Sequence, residues 1–504
     1  MKKLISYNII FLIFSHLCIA QEKVSGFVYD DATNNSISNV AIYDSNSEQI
    51  YYTDKSGYFE FNKNINTSEI IFFIEGYILL SKQLSEDNTN LIIRLSSRVE
   101  QLNEVVVRAN KKKIFQIRRM KDFEETSVFA GKKNEVILLE LSMANLASNN
   151  ARQIYNQIPG LNIYQNDDAG LQLNIGGRGL DPNRTSNFNT RQNGYDISAD
   201  ALGYPESYYT PPAEGLNEIQ ILRGAASLQY GTQFGGLINF IMKKPNPDKK
   251  LEIITRNTVG SNDLFTNFTS LSSKGQKLSY YGYFNYKKGN GFRENSNFES
   301  MNTFQFIEYK FNETSSISSE ITYLKYLAKQ AGGLSDEMFI QNPFQSNRSR
   351  NWFEVDWLLY NLKFKKEFSA NTNFSFSFFG LEAKRNSLGF RTNRVSQVDS
   401  GQERDLIKGD FSNFGFETRL LTNYKAFKNK SYFLLGLKYY NSNSSSIQGP
   451  GSNGDDANFN FQNSLYPNYT NQSNYIYPNR NIALFGENIF YLNDKFSITP
   501  GFRH

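Results

Sequence analysis

Cysteine is all but missing: the chain of 504 residues holds one, Cys18. Histidine is nearly as scarce, confined to His16 and His504. Residues 1–20 join a basic start (Lys2, Lys3) to a largely apolar run, Ile9–Leu17, and end on Ala20, the pattern of a secretory signal peptide. Leu17 is too bulky a residue for lipoprotein processing at Cys18, so cleavage is expected after Ala20. The mature chain then keeps no cysteine and one histidine, which excludes a disulfide framework, a Cys/His zinc site and Ser–His or Cys–His catalysis. Counting alone leaves a carboxylate-only active site open, but no enzyme is expected. Charge of one sign is lacking as well. Without Lys2 and Lys3 there are 52 basic against 49 acidic side chains, a net of +3, and nothing points to a nucleic-acid partner. Beyond residue 20 no segment approaches the roughly 18 unbroken apolar residues of a membrane helix.

Aromatic side chains, by contrast, are plentiful, at 15% with 42 Phe and 31 Tyr, yet mean hydropathy is −0.51. Either they gather in a core, or they alternate with polar residues and face lipid, which an average conceals. Residues 21–100 carry short β-rich runs (VSGFVYD, NVAIYD, QIYYTDKSGYFEF, SEIIFFIEGYILL, NLIIRL) split by Asn, Asp, Ser and Gly, which predicts a small β-sandwich. Gly26-Phe27-Val28, the Thr53–Phe59 turn and Gly76-Tyr77 resemble the carboxypeptidase regulatory-like module, which implies a periplasmic accessory domain. Residues 101–120 form a linker with a basic run. Within it Leu102–Ala109 reads as an extended strand, either the last of the sandwich or one offered to a partner's sheet edge. Residues 121–247 mix short helices and strands, including a helix Ala151–Ile158 capped by Asn149 or Asn150 and stopped by Pro159-Gly160.

From Leu251 onward, alternating segments of about ten residues recur. In one of them Phe414, Phe416, Thr418, Leu420, Thr422 and Tyr424 share one face, and Gly415, Glu417, Arg419, Leu421 and Asn423 the other. Eleven strands are expected, beginning near Leu251, Leu264, Leu278, Ser300, Ile317, Trp352, Phe374, Ser412, Tyr432, Asn479 and Phe496. The links after even-numbered strands are short. Those after odd-numbered strands, the first excepted, are long, with loops placed at Ser387–Phe411 and Ser444–Pro478. Short turns at one end and long loops at the other describe an outer-membrane barrel with lipid around it.

Between the two regions lies RGAASLQYGTQFGGLINFIMKKP, rich in glycine. It is no phosphate cradle, because the glycines lead into a strand and lack a following Lys-Ser or Lys-Thr, and Gly176–Gly179 leads into Leu-Asp-Pro rather than a helix. Close backbone approach is the other reason for so bare a chain. Ile219, Arg223, Gly224, Ser227, Tyr230, Gly231, Gly235, Gly236, Ile238, Asn239 and Pro245 closely resemble the end of the plug domain of TonB-dependent outer-membrane receptors. Glu218 stands one place early for that pattern, with Gln220 in its slot. Pro159-Gly160-Leu161 and Ile175–Leu180, which includes Arg178 and Gly179, look like earlier plug elements, and Leu102–Val107 looks like the TonB box.

The resemblance implies a mainly β protein: an N-terminal β-sandwich, an α/β plug domain and a transmembrane antiparallel β-barrel from residue 248. Such barrels have about 22 strands, so the sequence is expected to be a fragment holding about half of them. It implies energised uptake of a ferric chelate, ferric citrate or a siderophore, with RGLDPNR (Arg178–Arg184) similar to the ferric-dicitrate branch. TonB is the implied partner, pairing with Glu104, Val105, Val106, Val107 and Arg108. No cofactor or resident metal is implied. Arg178 and Arg223 are candidate lumen charges for barrel acids such as Glu382 or Glu417, or plain lumen salt bridges. Arg184, Arg191, Gln192, Asn193 and Tyr195 are candidate ligand contacts at the plug apex, and Tyr204, Tyr208 and Tyr209 could line the same vestibule. An oligosaccharide importer and a secreted β-rich adhesin are the competing readings. Cell fractionation separates the last: the full-length receptor requires detergent for extraction, whereas an adhesin core stays in the aqueous fraction.

Overall fold

The computed structural model describes residues 23–44, 50–62, 69–84, 88–97, 117–142, 144–156, 158–165, 167–177, 179–223, 228–231, 235–392, 394–426, 429–493 and 495–504. The expected signal peptide, Leu102–Ala109, Arg178 and Gly224 lie outside them. The chain divides into two compact units, one up to Lys111 and one from Lys112.

The first unit is built from two sheets. One has Lys23–Asp30 at its centre, antiparallel to Tyr58–Asn62 and parallel to Leu91–Leu95. The other runs in the order Ile50–Tyr52, Ala41–Asp44, Glu69–Phe73, Leu80–Gln83. Val24, Val28, Phe59, Ile70 and Phe72 fill the space between them, all nearly free of solvent. The expected turn is closed by Asp54, whose Oδ1 accepts from the Ser56 and Tyr58 backbone N–H groups at 2.8 and 2.9 Å, while Gly57 takes φ +79°.

The second unit begins with a six-stranded sheet in the order Tyr195–Asp196, Phe188–Gln192, Gly236–Met242, Leu216–Arg223, Asn134–Leu138, Ile117–Arg118. The helix preceding its hairpins is shorter than expected, Ala151–Tyr155. Asn150 alone caps it, accepting from Arg152 and Gln153 N–H. Asn149 is spent elsewhere, linking the Gly170 carbonyl to the Ala213 N–H.

The glycines of the opening run meet backbone. A Cβ on Gly236, at φ +122°, would lie 1.9 Å from the Leu222 carbonyl oxygen, and one on Gly235 2.6 Å from that of Asn187. The Leu216–Arg223 and Gly236–Met242 strands therefore pair at a distance only glycine allows at this point.

Ten long antiparallel strands follow, each paired with its neighbours in sequence, from Leu251–Val259 to Ser473–Asn493. Phe496–Ile498 and Gly501–Arg503 pair back onto the last of these. Residues 275–277, 313–314 and 370–371 close tight turns at one end, and 330–351, 390–404 and 451–472 form the loops at the other. The loops are shorter than expected because strands run on into them: Thr372–Gly389, Asp405–Ala426 and Asn429–Pro450 carry polar runs such as Asn441–Ser446. Outside lipid a ladder needs no apolar face, so the alternation that marks a strand fades while its pairing persists.

The alternating faces resolve as expected. Glu417, Arg419 and Leu421 are buried and Phe414 faces out. Across the outer wall Ile307, Ser319, Leu362, Phe378, Phe416, Tyr439 and Ile482 stand in one cross-strand row. Nearer the loops, Lys325, Asp356, Lys384 and Asp410 make a second row of alternating charge. Along Trp352–Ser369 the outward side chains run from Asp356 through Leu358, Tyr360, Leu362 and Phe364 to Lys366. That step covers about 33 Å of strand, or about 25 Å of height at a tilt of about 40°, the apolar band of an outer-membrane wall.

The inner face departs from the polar lumen expected of it. Phe353, Val355, Trp357, Leu359, Phe379 and Leu381 point inward and share one continuous core with plug residues Ile197, Tyr208, Tyr209, Ile219 and Phe240. Gly236→Ala should cost about 3 kcal/mol or more, through the clash with Leu222. Gly194→Ala, at φ +89° with open space around it, should cost about 1 kcal/mol. Urea midpoints of the folded protein compare the two, and equal losses would reject the close-approach account.

Candidate functional site

Two polar assemblies of the plug lie in the middle of the wall and near the loops. The first is centred on Arg191 and Asp196, which face each other across the hairpin Phe188–Gln192/Tyr195–Asp196. Their ion pair measures 2.9 Å. Barrel residue Lys438 also reaches Asp196, and Glu417 lies 4.0 Å from Arg191. Arg419 bonds Glu417 at 2.5 Å, Gln229 at 2.6 Å and Ser127 at 2.7 Å. The guanidiniums of Arg191 and Arg419 both stand over the Tyr230 ring, 4.7 and 4.8 Å from its centre. Burial works to raise the pKa of Asp196, but Arg191 and Lys438 outweigh it and hold the carboxyl below its ordinary value.

Arg191, expected as a ligand contact, is held inside this assembly. It is 1% exposed and joins plug to wall. Its neighbours do the same. Gln192 donates to Tyr195 and Thr322, at 2.7 and 3.0 Å, and Asn193 donates to Glu320 at 2.9 Å. Tyr195 is buried beside Phe379. Asn193 and Gly194 both take positive φ, +46° and +89°. This is the two-residue hairpin turn that Asn-Gly favours, so the segment expected at the apex is a strand pair. Arg223 pairs at 2.7 Å with Glu135 of the plug, not with a barrel acid, and Glu382 faces outward, bonded to Ser412. Glu218 finds Arg118 at 2.7 Å, and Gln220 bridges Glu218 and Asn239. Gly179 and Gly231 take φ +80° and +85°.

The second assembly lies near the loops. Arg184 does reach it, from a turn in which Arg184 and Thr185 hold φ +51° and +55°. Two adjacent left-handed residues that are not glycine cost about 1–3 kcal/mol each. The turn is fixed by Asn174, whose side chain accepts from the Arg184 N–H at 2.8 Å, and by Thr185 Oγ1 donating to the Leu173 carbonyl at 2.7 Å. Arg184 donates to Glu206 and to the Tyr208 hydroxyl, both at 3.0 Å. From the wall Arg385, on Thr372–Gly389, donates to the Tyr204 hydroxyl at 2.9 Å. The Tyr204 and Tyr208 hydroxyls stand 2.9 Å apart.

Both guanidiniums lie close to the Tyr208 ring centre, at 5.2 and 5.3 Å. Packed against that ring are Phe353, Trp357 and Phe411. Arg385 is buried, and its Nε has no hydrogen-bond partner among the described residues. At the root of the 390–404 loop, burial lowers the pKa of Arg391, and Arg385 and Arg184 push the same way against Asp405. Arg184 and Arg385 therefore converge on Tyr208, with Glu206 offsetting the first. Tyr209, by contrast, turns away to donate to Gln192.

Sequence reasoning missed Arg385, Glu206 and Arg391. Arg385 shares the inward parity of Leu381 and Ala383, which was the available signal. A pocket beneath the plug helix, lined by Asn149, Tyr155, Asp167 and Thr210, holds about 100 Å³, well below the size of small-molecule sites. Among the described residues no group of three or more His, Cys, Asp or Glu could hold a metal ion.

Residues 24–107 match the CarboxypepD_reg-like domain family, and residues 140–237 the TonB-dependent Receptor Plug Domain. Over 140 residues the chain is 31% identical to the ferric enterobactin receptor PirA of Pseudomonas aeruginosa, a stretch covering 25% of this chain and 17% of that protein. The unliganded ferric citrate transporter FecA aligns with a TM-score of 0.61 at 18% identity, over 74% of this chain and 56% of its own. The ferric yersiniabactin uptake receptor FyuA from Yersinia pestis gives 0.57 at 14%, over 74% and 56%. The chain spans a little over half the length of these structures, and at such identities the likeness is one of fold.

Asp196→Asn leaves Arg191 and Lys438 buried without their carboxylate and should lower stability by about 3 kcal/mol. Because the folded pKa is depressed, the wild type keeps this contribution above about pH 4 and loses it as pH falls through the folded value. Unfolding midpoints of wild type and variant should therefore converge in acid; a constant gap would contradict the assignment.

Proposed function

We propose that this chain, which carries the plug domain of the TonB-dependent receptors and shares their fold, belongs to an outer-membrane receptor for energised uptake of an anionic ferric chelate. The observation that carries this reading is the convergence of Arg184 from the plug and Arg385 from the wall on Tyr208, near the long loops. A hard, multiply charged carboxylate complex suits such donors. Guanidiniums give short charge-assisted hydrogen bonds, and an apolar backing of Phe353, Trp357 and Phe411 strengthens them. Iron in this reading is cargo, carried in by its chelator.

The ligand docks from the loop side, displacing Glu206 from Arg184 and using the free Nε of Arg385. An ion in that place ties plug to wall and links occupancy to plug position. TonB then takes the strand Glu104–Arg108 as an addition to its own sheet and draws on the plug from the periplasm, where the regulatory-like domain also resides. Work is required because the Arg191–Asp196–Lys438 assembly and the shared core resist withdrawal. A sugar importer would offer open aromatic faces for stacking, whereas Tyr208 and Trp357 are buried, which favours the chelate.

Arg184→Ala with Arg385→Ala should weaken surface binding of ferric citrate about 100-fold, at about 1.5 kcal/mol per lost charged contact. Binding within twofold of wild type would remove the pair from the site. A deletion strain should fail to grow on ferric citrate as iron source; normal growth on every ferric chelate would sink the iron reading.

A further inference from the structure

A third charged assembly lies at the opposite end of the wall, by the tight turns, and no step above uses it. Glu125 occupies the two-residue turn between Phe123–Glu124 and Ser127–Val128, and holds φ +50°. Its carboxylate takes Lys365 at 2.6 Å, Lys363 at 3.0 Å and Lys244 at 3.7 Å. Lys363 and Lys365 come from Trp352–Ser369 and share the inward parity of Phe353, Val355 and Trp357. Lys244 follows the last plug strand. The neighbouring Thr126 hydroxyl meets that of Ser375 at 2.7 Å, so the turn is seated on the wall. Asparagine or glycine would adopt this backbone more readily than glutamate. Here three ion pairs offset the cost of glutamate in that conformation. Lys363 and then Lys365 hold the Glu125 carboxyl well below its ordinary range, so it is ionised at any physiological pH.

We propose that Lys244, Lys363 and Lys365 form a second anion-binding station on the periplasmic side, which Glu125 fills as a built-in substitute until the plug moves. This rests on the uptake reading above. Residues 117–130 are the first of the plug to follow the linker, so a pull entering there moves Glu125 early. Glu308 and Glu320 also act on Lys365, and the Glu320 carboxylate is bonded by Asn193. With Glu125 in place the three ammonium groups share one ion-pair partner; with it withdrawn they lose it. The vacated seat fits the carboxylates of an anionic chelate. Lysine suits a passing ligand, because a flexible point charge holds an anion without fixing its orientation.

The test uses cells carrying the full-length receptor, with radiolabelled ferric citrate as probe. Energy-independent surface binding and energised uptake are read separately. Lys363→Gln with Lys365→Gln should leave surface binding within twofold and cut uptake about tenfold, while the paired Lys→Arg variant retains it. Glu125→Gln, which empties the seat but keeps the lysines, should transport at least as fast as wild type. A latch with no role in passage predicts instead that the Gln variants of either partner behave alike, and that result would overturn the station. So would wild-type uptake by the double Lys→Gln variant. If the double variant does not assemble, the single Lys→Gln variants replace it, each expected to lose about threefold. Failure of the wild type itself to take up ferric citrate removes the functional reading and this inference together, whereas uptake indifferent to the lysines removes only the inference.

Discussion

In hydrocarbon no water completes a strand's hydrogen bonds, so each wall strand has to be saturated by its neighbours. The same wall has an inner face that lipid never touches, and something must cover it. Here the cover is the plug. Trp357, Leu359 and Leu381 project inward with no solvent exposure, into a core completed by Tyr208, Ile219 and Phe240. At about 25 cal/mol per Å² of apolar surface, such burial dominates docking. It is also non-directional, and would tolerate a plug turned or shifted in its seat.

Direction comes from the polar contacts. Asp196 receives both Lys438 of the wall and Arg191 of its own hairpin, and Tyr230 lies under guanidiniums from each side of the boundary. Buried ion pairs add little net stability against a well-packed apolar alternative, yet breaking one partner away is costly. That asymmetry suits a part that must sit in one register and still come loose. Such contacts recur along the plug, from Thr126 with Ser375 through Asn193 with Glu320 to Asp200 with Ser442.

The wall was readable because lipid imposes a strict period of two on its outer face, and Phe414–Tyr424 displays it. Its upper extensions were not: Asn441–Ser446 pairs as strand with no apolar alternation to mark it. The inner wall misled for a related reason. Periodicity assigns residues to faces but does not say whether water or protein lies beyond, and apolar Phe353 and Val355 alternate with outward Glu354 and Asp356 above the lipid. In the plug, glycines identified close approach because backbone contact leaves no alternative residue. The hairpin signal of Asn193-Gly194 sets Arg191 against Asp196, but the wall partner of that pair, Lys438, stands over two hundred residues away. Arg184 could be named among the cationic and amide donors of the apical stretch; Arg385 needed the wall folded around it.

The two ends of the plug use different cations, and the difference has a physical logic. Near the loops Arg184 and Arg385 are planar, always charged and set against the Tyr208 ring, which fixes how an anion is held. Near the tight turns three lysines gather around Glu125, a carboxylate the chain itself supplies. Tight, oriented capture at low concentration calls for the first kind of site. Passage toward a compartment where the ligand must be let go calls for the second. A wall with arginines at both ends would trade one bound state for another, and the work done on the plug would release nothing. In the proposed uptake reading, the rigid cations near the loops serve capture and the flexible ones near the tight turns serve release.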